Sequence, residues 1–246
     1  MGRADRARVA GSGGIGLRIV DMNWMQVEKY LEHDDRAVLP LGSVEQHGYL
    51  SLGTDALLAE RVAVEAAEPL AVPVFPVQAY GVTPYTLGFP GSLSLSVGTY
   101  VALITELLDG MHRAGFRRLV LVNGHGGNAP GGAVAQEWLI RHEDSRVVLH
   151  NWWNAPRTWA AAQAIDALAA HGSWLESFPW NRVAEAPAGQ KSLADLAAIR
   201  ASGPVRAREL LGDGNFGGDY QKPDAQMLHL WEVGVEETRE VIDGIR

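Results

Sequence analysis

Two short apolar runs constrain this chain more than any other feature. Ala37-Val-Leu-Pro-Leu41 and Leu119-Val-Leu-Val122 are continuous in aliphatic residues and lack the alternation of a strand with one wet face. Such runs read as strands buried on both sides, which requires a sheet with helices packed over each face. The flanking segments agree. A short helix is expected from Asn23 to about Leu31, and Asp55 to about Glu68 is Ala- and Leu-rich with helical spacing. Ser96 or Thr99 caps a helix that runs to about Ala114 and stops at Gly115. After the second apolar run come a polar loop from Asn123 to Gly132, a helix to about His142 and a strand at Val147-Val-Leu149. Val72 to Tyr80 predicts one more strand, irregular or at an edge because Pro73 and Pro76 have no N–H to give. Strands alternating with helices predict an α/β fold with a parallel sheet.

Composition narrows the function. The chain has 246 residues, no cysteine and a formal net charge of -8. Without cysteine there is no disulfide, thiolate ligand or sulfur nucleophile, so any metal must be held by His, Asp and Glu. No basic stripe is present to neutralise a run of phosphates, so no nucleic-acid partner is expected. Apolar stretches end well short of the roughly 18 residues a membrane span needs, and the Arg3, Arg6 and Arg8 region lacks the apolar core of a secretory signal. A cytoplasmic protein is the expectation. Residues 1–16 read as a flexible tail and 17–246 as one domain. Gly11-Ser-Gly-Gly-Ile-Gly16 matches the dinucleotide fingerprint in form only, since a charged segment precedes it and no helical pattern follows.

The chemistry lies where the apolar runs end. Glu45 and His47 follow the first run two residues apart, which in extended backbone turns both side chains the same way, as if toward one ion. Asp55 opens the next helix, and His125 follows the second run among Gly124, Gly126 and Gly127. In a parallel sheet the carboxyl ends of the strands share one edge, so these loops can meet. Carboxylates and imidazoles are the ligands that zinc, manganese or iron takes when thiolates are absent. Asp55 is short enough to bridge two cations. Each residue also has an ordinary reading: Asp55 as a helix cap, His125 as a hydrogen-bonding loop residue, and the glycines as a bare turn or an anion cradle.

Val38-Leu-Pro-Leu-Gly-Ser-Val-Glu-Gln-His-Gly48, Leu52-Gly-Thr-Asp-Ala56 and Val122-Asn-Gly-His-Gly-Gly-Asn128 resemble, in order and spacing, the motifs of the creatininase family. The family includes creatinine amidohydrolases, formamide deformylases and the mycofactocin peptidase. The resemblance implies a three-layer α/β/α sandwich with a mostly parallel central sheet, two divalent metal ions (Zn, Mn or Fe), and homo-oligomers, hexamers among them. It implies one metal on Glu45 and His125, the other on His47, and Asp55 between them. Creatinine-hydrolysing members carry a carboxylate where this chain has Gly127. Here His171-Gly-Ser-Trp-Leu-Glu-Ser177 is similar to a later family stretch, which makes Glu176 the fifth ligand and His171 the general acid/base. Trp174 and Ala170 depart from that stretch, so creatinine itself is not the expected substrate.

Eight tryptophans stand out. Trp153 resembles the aromatic that closes over substrate in the family, and Trp152, Trp174 and Tyr80 join it as substrate-binding candidates, with core packing as their plain alternative. The long loop from Gly81 to about Ser96, with Tyr85 and Phe89, is a candidate lid, and Ser43 and Gln46 flank the ligands. The expected reaction is cleavage of a C–N bond in a small or cyclic amide, by water activated between two cations, with His171 and Asp55 as the catalytic side chains. A metal-dependent hydratase or isomerase, a deformylase, or an inactive metal-binding homologue stay open as alternatives.

Overall fold

The structure is a computed structural model. It describes residues 18–246; the tail at 1–16 and the glycine-rich Gly11–Gly16 segment lie outside the described residues. Three strands, β1 (Arg36–Leu41), β2 (Arg118–Asn123) and β3 (Arg146–Asn151), form a parallel sheet in the order β1-β2-β3. The register pairs Leu41 with Asn123 and Asn123 with Asn151, so all three strands end level at one edge.

The two apolar runs are buried on both faces, as their composition requires. Val38, Val120 and Val122 point into a core with Leu58 and Val62 of α2 (Thr54–Ala67). The C-terminal helix adds Trp231 and Ile242 to this face. Leu39, Leu41, Leu119 and Leu121 point the other way, against Ile104 and Leu108 of α3 (Val97–Arg113) and Val134 and Trp138 of α4 (Pro130–Leu139). The result is a three-layer α/β/α arrangement with the sheet in the middle. Asn23 caps α1 (Trp24–Leu31) in a reciprocal capping box with Gln26, and Ser96 caps α3 as its sequence predicts.

The segment expected as a strand over Val72 to Tyr80 is only partly one. It lies parallel to β1 through isolated bridges at Val74 and Gln78, with Phe75 and Gln78 donating to Val38 and Pro40. Pro73 and Pro76 lack the N–H groups that a continuous ladder needs, and Pro73 only accepts, from Val38. The chain continues through α5 (Pro156–Ile165), the two-residue β4 (Gln190–Lys191), the short α6 (Leu196–Arg200) and α7 (Pro204–Leu211), β5 (Gly218–Asp219), which pairs antiparallel with β4, and the long α8 (Asp224–Gly244). Among the described residues no helix is long and apolar enough to cross a membrane.

Candidate metal centre

The level strand ends bring four chain segments to one crevice. Glu45 and His47 stand on the loop after β1, where Glu45 N–H donates to Leu52 O and Gln46 N–H to Ser92 Oγ. Asp55 is in the first turn of α2, pressed close because a Cβ on Gly42 would lie 2.5 Å from Ala56 Cα. It does not cap the helix; its carboxylate turns to the histidines. His125 follows β2, its N–H donating to Asn123 Oδ1 while Asn123 Nδ2 donates to His125 O and to Asn151 Oδ1. His171 and Glu176 arrive from beyond α5, on a turn where Gly172 (φ +68°) donates its N–H to Glu176 Oε2 at 2.6 Å.

Glu45, His47, Asp55 and His125 are all buried, between 0% and 4% exposed. His47 Nε2 lies 2.9 Å from Asp55 Oδ1 and 3.8 Å from Glu176 Oε2. His125 Nδ1 lies 3.0 Å from Asp55 Oδ2 and 3.3 Å from Glu45 Oε1. His171 Nδ1 stands 3.6 Å from Glu45 Oε1 and 3.8 Å from Glu176 Oε2.

Backbone carbonyls fix which nitrogens face inward. His47 Nδ1 is 3.1 Å from Glu45 O and His125 Nε2 is 3.1 Å from Val82 O. A carbonyl only accepts, so these nitrogens carry the protons and the opposite ones present lone pairs to the carboxylates. Lone pairs facing carboxylate oxygens at about 3 Å repel unless a cation lies between them. Glu45 Oε1 and Oε2 and Asp55 Oδ2 are buried without a hydrogen-bond partner, a costly state that a cation relieves.

The titration of the cluster shows the same demand. Burial disfavours charge on His47, but Asp55 and Glu176 outweigh it and hold its pKa up at about 10. Burial also opposes charge on His125, which Glu45 and Asp55 raise well above the ordinary value. Glu45 and Asp55, pushed up by burial, are brought below the usual carboxylate range by those imidazoles. Without a metal, protons fill the places between nitrogen and oxygen.

Three overlapping sets of ligand atoms come within 4.8 Å of one another: Glu45, Asp55 and His125; His47, Asp55 and Glu176; and Glu45, His47 and His171. The first two share Asp55. Glu45 and His47 fall on opposite sides of Asp55 in those two sets and come together in the third with His171, where their i, i+2 spacing turns both toward one place. The glycine pattern has a direct cause: a Cβ on Gly127 would lie 1.9 Å from Val82 O and 2.5 Å from His125 Nε2. A carboxylate at that position has no room on this backbone.

Above the centre opens a cavity of about 720 Å³ lined by Trp153, Tyr85, Trp159 and Phe216. Of the other substrate candidates, Trp152 is 3% exposed and packs on Trp231, with ring centroids 5.3 Å apart. Successive side chains on its 3-10 turn diverge by about 120°, so Trp152 and Trp153 cannot both face the cavity. Trp174 is fully buried, its indole N–H donating to Leu168 O. Tyr80 is 49% exposed and outside the lining. Sequence reasoning passed over Phe216, whose ring lies 4.7 Å from that of His171, and Leu193, Leu196 and Arg200, which belong to no motif. Gln46 is a partner of His171: His171 Nε2 lies 2.9 Å from Gln46 O and 3.2 Å from Gln46 Nε2, an acceptor and a donor respectively. Either protonation state of that nitrogen finds a partner.

Fold and site together define an α/β protein with a buried carboxylate–imidazole centre suited to cations. The creatininase profile, described as creatinine amidohydrolase, matches residues 20–241, and the chain belongs to that family. It is 28% identical over 158 residues to creatinine amidohydrolase of Pseudomonas putida, covering 59% of this chain and 61% of that protein. To 3-dehydro-scyllo-inosose hydrolase of Thermotoga maritima it is 31% identical over 117 residues, 45% and 36% of the two chains. To the mycofactocin precursor peptide peptidase of Mycolicibacterium smegmatis it is 38% identical over 113 residues, 43% and 45%. The matches therefore span 36% to 61% of those relatives. A crystal structure of creatinine amidohydrolase superposes with a TM-score of 0.78 at 23% identity, covering 93% of this chain and 97% of that one, and shows the shared fold.

Proposed function

We propose that this protein is a metal-dependent amidohydrolase that cleaves a C–N bond of a small or cyclic amide. The observation that carries the reading is Asp55, buried and shared by two ligand sets, in the first of which Glu45 leaves both of its buried oxygens unpartnered. Glu45, Asp55 and His125 would hold one divalent cation, and His47, Asp55 and Glu176 a second, with residues 17–246 acting as one unit. Solved relatives include one named for manganese and one named as a zinc–zinc type. Amidohydrolase and peptidase, the names of two relatives, both denote cleavage of a C–N bond.

Such ions, when bound, supply a water made acidic near neutrality and polarisation of the substrate carbonyl. The chain supplies the rest. His171 lines the cavity with Nδ1 toward Glu45 and Glu176, and in this reading it would hand a proton to the leaving nitrogen. Gln46 and the Phe216 ring fix the plane of that imidazole. Trp153 and Trp159 give the cavity an aromatic lining that would suit a planar amide or ring.

The test is a panel of formamides, cyclic amides and dipeptides offered to protein reconstituted with zinc or manganese. Hydrolysis of at least one class, abolished by chelation and restored by metal, is expected. Metal-loaded protein that cleaves none of them would leave the reading without support.

A further inference from the structure

The cavity carries an asymmetry of charge that the ligand sets do not use. Three carboxylates line its floor, Glu45, Asp55 and Glu176, and among the lining residues only Arg200 is a permanent cation. Two divalent ions would outweigh three carboxylates by one positive charge. Arg200 would then add to the excess.

Arg200 is held where it is by the fold. It ends the short α6, which Asp195 caps by accepting Ala198 N–H at 3.0 Å. Leu196 and Arg200, four residues apart on one helical face, both line the cavity. Ile199, next to Arg200 but on another face, is fully buried with Ala207, Leu211 and Phe216 and anchors the helix. Among the described residues no hydrogen bond or ion pair is found for the Arg200 guanidinium, whereas Arg36, Arg118 and Arg182 all have carboxylate partners. Tyr85 lines the same cavity as the three carboxylates and this arginine. Its ring rests on Phe216 at 6.4 Å, in the same apolar cluster that anchors α6.

From this placement we infer that Arg200, with Tyr85 beside it, forms an anion-binding rim that selects substrates carrying a carboxylate at a distance from the amide to be cleaved. The guanidinium fork matches a carboxylate with two parallel N–H donors. Arg200 is exposed at the cavity mouth, so the attraction is screened by salt and is strongest at low ionic strength. This inference rests on the proposed hydrolysis for the word substrate, but not for the binding itself.

The experiment uses two ring amides that differ only in charge, hydantoin-5-acetate and hydantoin-5-acetamide. Their binding to the zinc-loaded full chain is measured by calorimetry at low ionic strength. The wild type is expected to bind the carboxylate at least about tenfold more tightly than the amide, or about 1.4 kcal/mol. Arg200→Gln is expected to bring the two affinities within about twofold, and Arg200→Lys, which keeps the charge but not the fork, to fall between. Equal affinities in the wild type, no measurable binding of the carboxylate, or a preference that survives in Arg200→Gln overturns the inference. Cleavage is followed on the same samples and on the wider amide panel. A carboxylate preference without any hydrolysis sustains the rim and defeats the hydrolytic reading, whereas hydrolysis without the preference does the reverse.

Discussion

Metal uptake at this centre should release protons, because protons occupy the same places in the metal-free chain. His47 Nε2 stands 2.9 Å from Asp55 Oδ1, and its pKa is held at about 10. At pH 7.5 only about one molecule in 300 has that imidazole neutral. His125 is raised well above its ordinary value by Glu45 and Asp55 in the same manner. A metal takes only the neutral imidazole, so filling both ligand sets at pH 7.5 is expected to release about two protons per chain. For the set that contains His47, apparent affinity should rise about tenfold per pH unit, or about a hundredfold from pH 6.5 to 8.5. Titration calorimetry in buffers of different ionisation enthalpy reads the proton count as the slope of observed enthalpy. A slope near zero would refute the placement of the two imidazoles. The same linkage acts on the metal-free fold. Stability from His47 is present below its unfolded pKa of about 6.5 and lost as pH rises through about 10, while that from Glu45 and Asp55 is present above about 4 and lost on acidification.

Gly127→Ala places a methyl 1.9 Å from Val82 O and 2.5 Å from His125 Nε2, so it should cost about 1–3 kcal/mol and loosen His125. A thermal melt with and without zinc checks this, and wild-type melting together with wild-type zinc affinity would count against it. His171→Ala should keep the metal content while the rate falls by about 10²–10⁴. Loss of metal in that variant would instead make His171 a ligand, as its convergence with Glu45 and His47 allows. Glu176→Gln should weaken one ion and spare the other, read as two separated steps in a zinc titration; equal weakening of both would remove Glu176 from its assigned set.

The part of the site that was legible in the sequence is the part that follows directly from strands. Glu45, His47 and His125 stand just beyond β1 and β2, and the shared direction of a parallel sheet forces those loops together. Asp55 was legible because it opens the helix that follows β1, eight residues after His47. The double burial of β1 and β2 could be read from composition alone. The segment at Val72 to Tyr80 shows the limit of that reading, since two prolines turn an apolar run into a row of single bridges. Side-chain direction off the sheet was not legible. Trp152 and Trp153 are adjacent in sequence, yet one is core and the other lines the cavity. Arg200 and Phe216 come from segments far beyond the last strand of the parallel sheet, and only the packing of α6 and α7 under Tyr85 brings them to the crevice.

Metal content per chain reads whether Asp55 is shared by two cations. After loading with zinc and dialysis, elemental analysis of the wild type should give about two ions per chain, and folded Asp55→Ala at most one, weakly held. A wild type that retains one ion or none, or an Asp55→Ala chain that still retains two, would rule out a shared Asp55.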